Sequence, residues 1–265
     1  MRKHIEYRAK AMSIFHLQVI DRSVPGCLMA VLHLAFAGLI WSLFRNGHTD
    51  RERAKAWCMA LLMNALGMLI LSFHWPDEAL GPGLYMLAAS LFFVSILQRA
   101  VSLMDDLIIH QRPTLLASAF VSHIGFMGLL VVMGFSRTTI LVALNILHAG
   151  AALFLIWVCV KPNRSGNSYG KRMISIGYSI YALNFLAVAF FQFKSVSSSA
   201  SFVWQVEPSI RTLLMMPVFI TGMVASALSN MGFVWTLVGP FESDLGHARR
   251  FDSLVQHFRR RHYPN

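Results

Sequence analysis

The sequence predicts an all-α polytopic membrane protein, a bundle of seven transmembrane helices, and three observations predict it. Hydrophobic residues make up 56% of the 265 positions and charged ones only 13%, against roughly 25% charged in soluble domains. Seven apolar runs recur along the chain, and six of them are bounded on at least one side by Pro, Gly or charge. The last run, 212–236, carries no charge over about 25 positions, where roughly 20 apolar helical residues suffice to cross a bilayer.

Residues 1–24 mix Arg2, Lys3, Arg8, Lys10 and Arg22 with Ile5, Met12, Phe15 and Val19. Such a mixture suits an amphipathic helix in the membrane interface rather than a span, and it has no clean apolar core of a cleavable signal. The transmembrane domain follows over 25–236, with spans at 25–44, 56–75, 82–104, 115–135, 138–160, 173–193 and 212–236. Only Ser136 and Arg137 separate the fourth span from the fifth, so those two should form a tight hairpin. Ser195 to Ser201 reads as a flexible loop, with Trp204 at an interfacial position. Residues 237–265 form a basic tail carrying Arg249, Arg250, Arg259, Arg260 and Arg261.

Net charge is +11. Basic residues beside spans obey the positive-inside rule, so this excess reads as topology and not as nucleic-acid binding. Fifteen Lys and Arg fall on the side holding the first, third and fifth loops and the C-terminus, and eight on the other. The count puts the C-terminus in the cytoplasm and the N-terminus outside. The five basic residues before Val24 run against it, and translation starting at Met12 would remove four of them. Cys27, Cys58 and Cys159 are an odd number without a CxxC pair, and read as small packing residues.

Polar side chains within a bilayer are costly, so each is a functional candidate. They are His33, Asn64, Gln98, Arg99, His123, Asn145, His148 and Asn184, with Ser226, Ser229 and Asn230 in the last span. Asn145 and His148 are three apart and share a helix face. His33, His123 and His148 lie at mid-membrane depths that would let two of them ligate one haem. The competing reading is interhelical hydrogen bonding, which membrane histidines commonly provide, so no cofactor is assigned. Gly222, Ser226 and Asn230 recur every four residues beside Ala225 and Ser229; internal packing is preferred over a homodimer interface for this stripe. Pro217 should kink the seventh helix in its first third and serve as a pivot.

Other seven-helix chemistries lack their residues. A retinal Schiff base needs a lysine that the seventh span does not have. No Asp or Glu lies within any span, which argues against proton coupling through a buried acid, although a permease stays open. Hydrolytic motifs of the HExxH or GxSxG type are absent.

The second and third spans, RERAKAWCMALLMNALGMLIL and LYMLAASLFFVSILQRAVSLM, resemble the seven-helix sensor region of bacterial diguanylate cyclases. In that family a Trp and an Ala-Leu-Gly turn open one helix and a basic residue closes the next. Trp57, Ala65, Leu66, Gly67 and Arg99 stand in the matching places. The fifth span to Lys161, the run GKRMISIGYSIYAL and the exit NMGFVW (Asn230 to Trp235) are similar too. The tail ARRFDSLVQHFRRR resembles a worn start of the GGDEF domain, with Asp252 and Leu254 for its Asp and Leu and Arg260 and Arg261 for its basic pair. No Gly-Gly-Asp/Glu-Glu-Phe loop is present, so no catalytic, nucleotide or metal residue carries over.

The resemblance implies a sensory input domain in a bacterial inner (plasma) membrane, without a catalytic output domain of its own. The seventh helix would transmit to the tail, which would meet a cytoplasmic partner or anionic lipid. Deleting 240–265 should then abolish signalling and leave insertion intact. The alternatives are a haem or redox protein and a small-molecule permease.

Overall fold

In the computed structural model, residues 24–45, 51–72, 80–104, 112–161, 168–197 and 217–238 are described. They form seven α-helices: α1 (Val24–Phe44), α2 (Arg51–Ser72), α3 (Leu80–Ser102), α4 (Arg112–Val132), α5 (Arg137–Val160), α6 (Ser168–Ser197) and α7 (Pro217–Val238). Every one is long and apolar enough to cross a membrane. The N-terminal segment, Ser198–Ser201, Trp204 and the tail with Arg249, Arg250, Arg259, Arg260 and Arg261 lie outside the described residues.

Two helices outrun the sequence expectation. The second helix begins at Arg51 rather than near residue 56, taking in Arg51, Arg53 and Lys55, with Lys55 paired to Glu52 at 2.5 Å. The sixth runs 30 residues, so Lys171 and Arg172 are helical and Ser195–Ser197 extend the helix instead of opening a loop. Charge ends an apolar run but not a helix, because long cationic side chains reach toward the headgroups while the backbone stays hydrogen-bonded.

The expected hairpin between α4 and α5 is present. Gly134 takes φ +75°. The Gly134 N–H bonds the Val131 carbonyl and the Phe135 N–H bonds that of Leu130, which is the Schellman closure that a left-handed glycine permits. Ser136 then caps α5 by accepting the Thr139 N–H at 3.2 Å.

Contacts between neighbouring helices run in opposite senses. From one end of α2 to the other, Ser72, Asn64 and Cys58 meet Gly26, His33 and Ala37 of α1 in turn. α6 and α7 match likewise, from Gly170 against Gly232 to Asn184 against Val218. α7 closes the ring onto α1 and α2, while α3 packs on α2, α4 and α5 and reaches α6 through Arg99. Of its span 56% is buried, against 11% for α4, so α3 is the axis and α4 the periphery.

The outer surface of the bundle is apolar, unlike that of a soluble protein. Val132 is 85% exposed while Arg99 is 1% exposed; many apolar side chains face outward and the polar ones of the spans turn inward, as a lipid surround demands. The main apolar core, including Ile40, Trp57, Leu61, Leu155, Ile174 and Phe233, gathers at the end where α1, α3, α5 and α7 finish.

The small residues of α7 pack inside the bundle. Ala225, Ser226, Ser229 and Asn230 are fully buried. α6 and α7 approach backbone to backbone: a Cβ on Gly177 would stand 2.7 Å from the Ala225 carbonyl oxygen, and one on Gly232 would stand 2.8 Å from that of Gly170. Backbone on both sides leaves no side chain to swing aside. Gly177→Ala is therefore expected to force the helices apart and cost about 1–3 kcal/mol. Gly125→Ala on α4, whose Cβ would meet nothing within 4 Å, should be neutral or slightly stabilising. Thermal melting of the two variants in one detergent checks the contrast, and equal melting points would refute the close contact.

Candidate functional site

Polar groups on α1, α2, α3 and α7 meet first around His33. Its Nδ1 lies 2.7 Å from the Met29 carbonyl, an acceptor, so Nδ1 carries the proton and Nε2 is left to accept. The donors facing Nε2 are Ser226 Oγ at 3.3 Å and Asn64 Nδ2 at 3.5 Å. Asn64 Oδ1 in turn accepts from the Ser95 hydroxyl of α3.

Arg99 enters from α3, joins α6 and α2 directly, and reaches α7 through Trp57. Its Nη1 donates to the Tyr178 hydroxyl of α6 at 2.7 Å, and its guanidinium carbon stands 5.3 Å from the Trp57 ring centroid of α2. The Trp57 ring stacks on Phe233 of α7, with centroids 4.1 Å apart and planes 9° off parallel. Trp57 Nε1 donates to Asn230 Oδ1 at 2.8 Å, and Asn230 Nδ2 donates to the Ser226 carbonyl at 2.8 Å. An unbroken path of contacts thus runs from the Arg99 guanidinium into the middle of α7.

The other two histidines meet between α3, α4 and α5. His123 stacks on Phe93 and meets His148 edge to face, ring centroids 5.8 Å apart. Its Nδ1 is 2.9 Å from Ser90 Oγ, while its Nε2 is buried without a partner. Both ring nitrogens of His148 face carbonyl oxygens, Leu144 at 2.7 Å and Ala89 at 3.0 Å.

Between these groups lies a cavity of about 260 Å³ along one face of α3, from Tyr85 through Ala89, Phe92 and Ile96 to Arg99. Its polar lining is His33, Asn64, Asn145, His148 and Arg99 with Tyr178. Leu144, Tyr181 and Phe185 line it too, from α5 and α6. Arg99 sits at the end of the row on α3, next to the apolar core. A mostly apolar cavity carrying a few polar groups is where such a protein can take a ligand.

The polar residues picked out in the sequence fall into three groups. His33, Asn64, Arg99, Asn145 and His148 line the cavity; Asn145 and His148 do so from one face of α5, where Asn145 also donates to Gln192 at 3.1 Å. His123 stands beside His148 on α4 and does not line it. Asn184 lies elsewhere, donating to the Val218 carbonyl at 3.3 Å and accepting from Thr221, and so clips α6 to α7. Pro217 is the first described residue of α7; the segment before it, where a kink would show, lies outside the described residues. Gln98 is buried with Oε1 unpartnered. Cys58 and Cys159 are free, buried packing residues. Among the described residues no three His, Cys, Asp or Glu side chains gather closely enough to hold a metal ion.

Sequence reasoning passed over Tyr178 and Tyr181. Their signal was the series Tyr178, Tyr181, Phe185, spaced three and four apart in the sixth span, which is one face of a helix.

The fold and site define a class: an all-α seven-helix protein, consistent with an integral membrane protein, with a cavity between helices whose mostly apolar wall carries a few polar groups. Compared with known proteins, the chain matches no family model, no curated protein and no solved structure.

Proposed function

We propose that the protein is a membrane-embedded sensory input domain whose ligand occupies the central cavity and whose α7 carries the response outward. The observation that carries this reading is the contact path from the cavity into α7, Arg99 to Trp57 to Phe233 and Asn230. A ligand that alters how Arg99 sits changes what α2 offers α7, and it shifts the bundle only by its differential affinity for the two packings. Orientation follows the Lys and Arg excess: N-terminus outside, C-terminus in the cytoplasm of a bacterial cell. That puts the basic tail, Arg249 to Arg261, where a cytoplasmic partner or anionic lipid can meet it.

The test is a chimera in which a diguanylate cyclase domain replaces residues 240–265, with cyclic dinucleotide output measured in cells. Asn230→Leu, which breaks the bond to Trp57 without touching the cavity lining, should change output by at least about threefold, the equivalent of under 1 kcal/mol in a two-state equilibrium. Output identical to that of the unsubstituted chimera, at equal membrane levels, would sink the reading.

Haem ligation is the second reading, and the free Nε2 of His123 beside His148 favours it. It draws less from the geometry, because both nitrogens of His148 face backbone carbonyls and the two rings touch with no gap for a macrocycle. A Soret band in the purified protein would promote it at once.

A further inference from the structure

We propose that the cavity binds a small organic monocarboxylate with an apolar body, held by the side edge of the Arg99 guanidinium. The inference deepens the sensory reading and rests on it for the ligand's role as stimulus, but the binding itself is separate.

Arg99 is almost wholly buried and spends one N–H on Tyr178. Its Nε and Nη2 have no partner. These two N–H groups lie along one edge of the guanidinium and point in parallel, the fork that grips a carboxylate through two bonds. The Tyr178 hydroxyl accepts from Nη1 and keeps its own proton to donate. Among the described residues the only carboxylate is Glu52, which is exposed and already paired with Lys55. A buried cation without a counter-charge is costly in any low-dielectric interior, and a bound anion supplies that charge.

The remainder of the cavity selects against a bare inorganic ion. Phe92, Ile96, Leu144, Tyr181 and Phe185 line it, and these surfaces are satisfied only by an apolar body. A dry cavity of about 150 Å³ accommodates benzene, so about 260 Å³ suits a ligand of about ten non-hydrogen atoms. Phenylacetate has that size and carries its carboxylate on a short arm; phenylacetamide has the same shape and no charge.

The experiment is calorimetric titration of the full chain in lipid nanodiscs with acetate, hexanoate, benzoate, phenylacetate and phenylacetamide. At least one of the larger carboxylates should bind, and phenylacetate should bind at least about tenfold more tightly than its amide, since the amide offers the fork one neutral acceptor in place of a charged pair. Arg99→Lys, which keeps the charge and loses the fork, should weaken the carboxylate by about tenfold or more. If that variant does not fold, Phe185→Trp tests the same site with Arg99 intact: it fills the cavity and should weaken phenylacetate more than acetate. Equal binding of acid and amide, no binding by any carboxylate, or carboxylate affinity untouched by both substitutions would overturn the inference. So would binding that appears only in Asp105→Asn/Asp106→Asn, because the fork would then hold a carboxylate of the chain itself. Tight binding with no effect on the chimera's output would instead fail the sensory reading and leave the binding site standing.

Discussion

Trp57→Ala is expected to be among the most destabilising single substitutions in the bundle, costing about 3–5 kcal/mol. The indole is fully buried and does three things at once: it stacks on Phe233, lies against the Arg99 guanidinium and donates to Asn230. In a bilayer the unfolded reference keeps its helices in an apolar solvent, so little of the loss is hydrophobic transfer. The larger part is dispersion attraction forfeited around a void that the neighbouring helices cannot close, which favours the lower half of that range. Trp57→Phe isolates the polar part. The stack on Phe233 survives in reduced form, Asn230 Oδ1 is orphaned, and about 1–2 kcal/mol should go. In a double-mutant cycle with Asn230→Leu, a coupling above about 0.5 kcal/mol is expected for two groups in direct contact. Reversible unfolding in mixed micelles measures all four corners. Additive losses would mean that α2 and α7 are not joined by this bond, and Trp57→Ala melting as the wild type does would mean that the stack is not part of the core.

The number of spans was legible because each is an uninterrupted apolar run, and the membrane requires such runs to be helices. The ends were less legible. Arg51–Lys55 and Lys171–Arg172 look like loop by composition, yet belong to α2 and α6. Individual site residues were legible for the same reason that spans were: His33, Asn64, Arg99 and His148 stand out against apolar neighbours. What a single sequence does not carry is the rotation of each helix about its axis relative to the others. His148 could be paired with Asn145 from spacing alone, but not with the Ala89 carbonyl of α3. Trp57 and Tyr178 are camouflaged, since an aromatic ring inside an apolar run looks like lipid-facing bulk until its polar atom is seen to meet Asn230 or Arg99. Gly170, Gly177 and Gly232 are similar: their spacing shows small residues, and only the packed helices show which backbone each admits.

The second large effect concerns Arg99, and its sign is opposite. Burying a guanidinium with one hydroxyl acceptor and one ring face leaves two of its three nitrogens without an acceptor. The gains are modest, about 0.5–2 kcal/mol from the Trp57 ring and about 1.5–3 from the charged bond to Tyr178. The effective desolvation penalty of a buried ion is several kcal/mol, the same size as those gains together, and the two unpartnered nitrogens add to the cost. Arg99→Met alone removes the penalty but strands the Tyr178 hydroxyl; Arg99→Met/Tyr178→Phe removes both partners and leaves apolar groups of similar reach. The double variant is expected to be more stable than the unliganded wild type by about 1–4 kcal/mol, as replaced buried ion pairs often are, while losing carboxylate binding. Melting of both proteins without ligand, in the same nanodisc lipid, is the measurement. A double variant less stable by several kcal/mol would show that the guanidinium already has a carboxylate, with Asp105 and Asp106 the nearest in sequence. A gain would place Arg99 among residues retained at a cost to the fold, and a cost of that kind inside a bilayer falls where the chain meets its ligand.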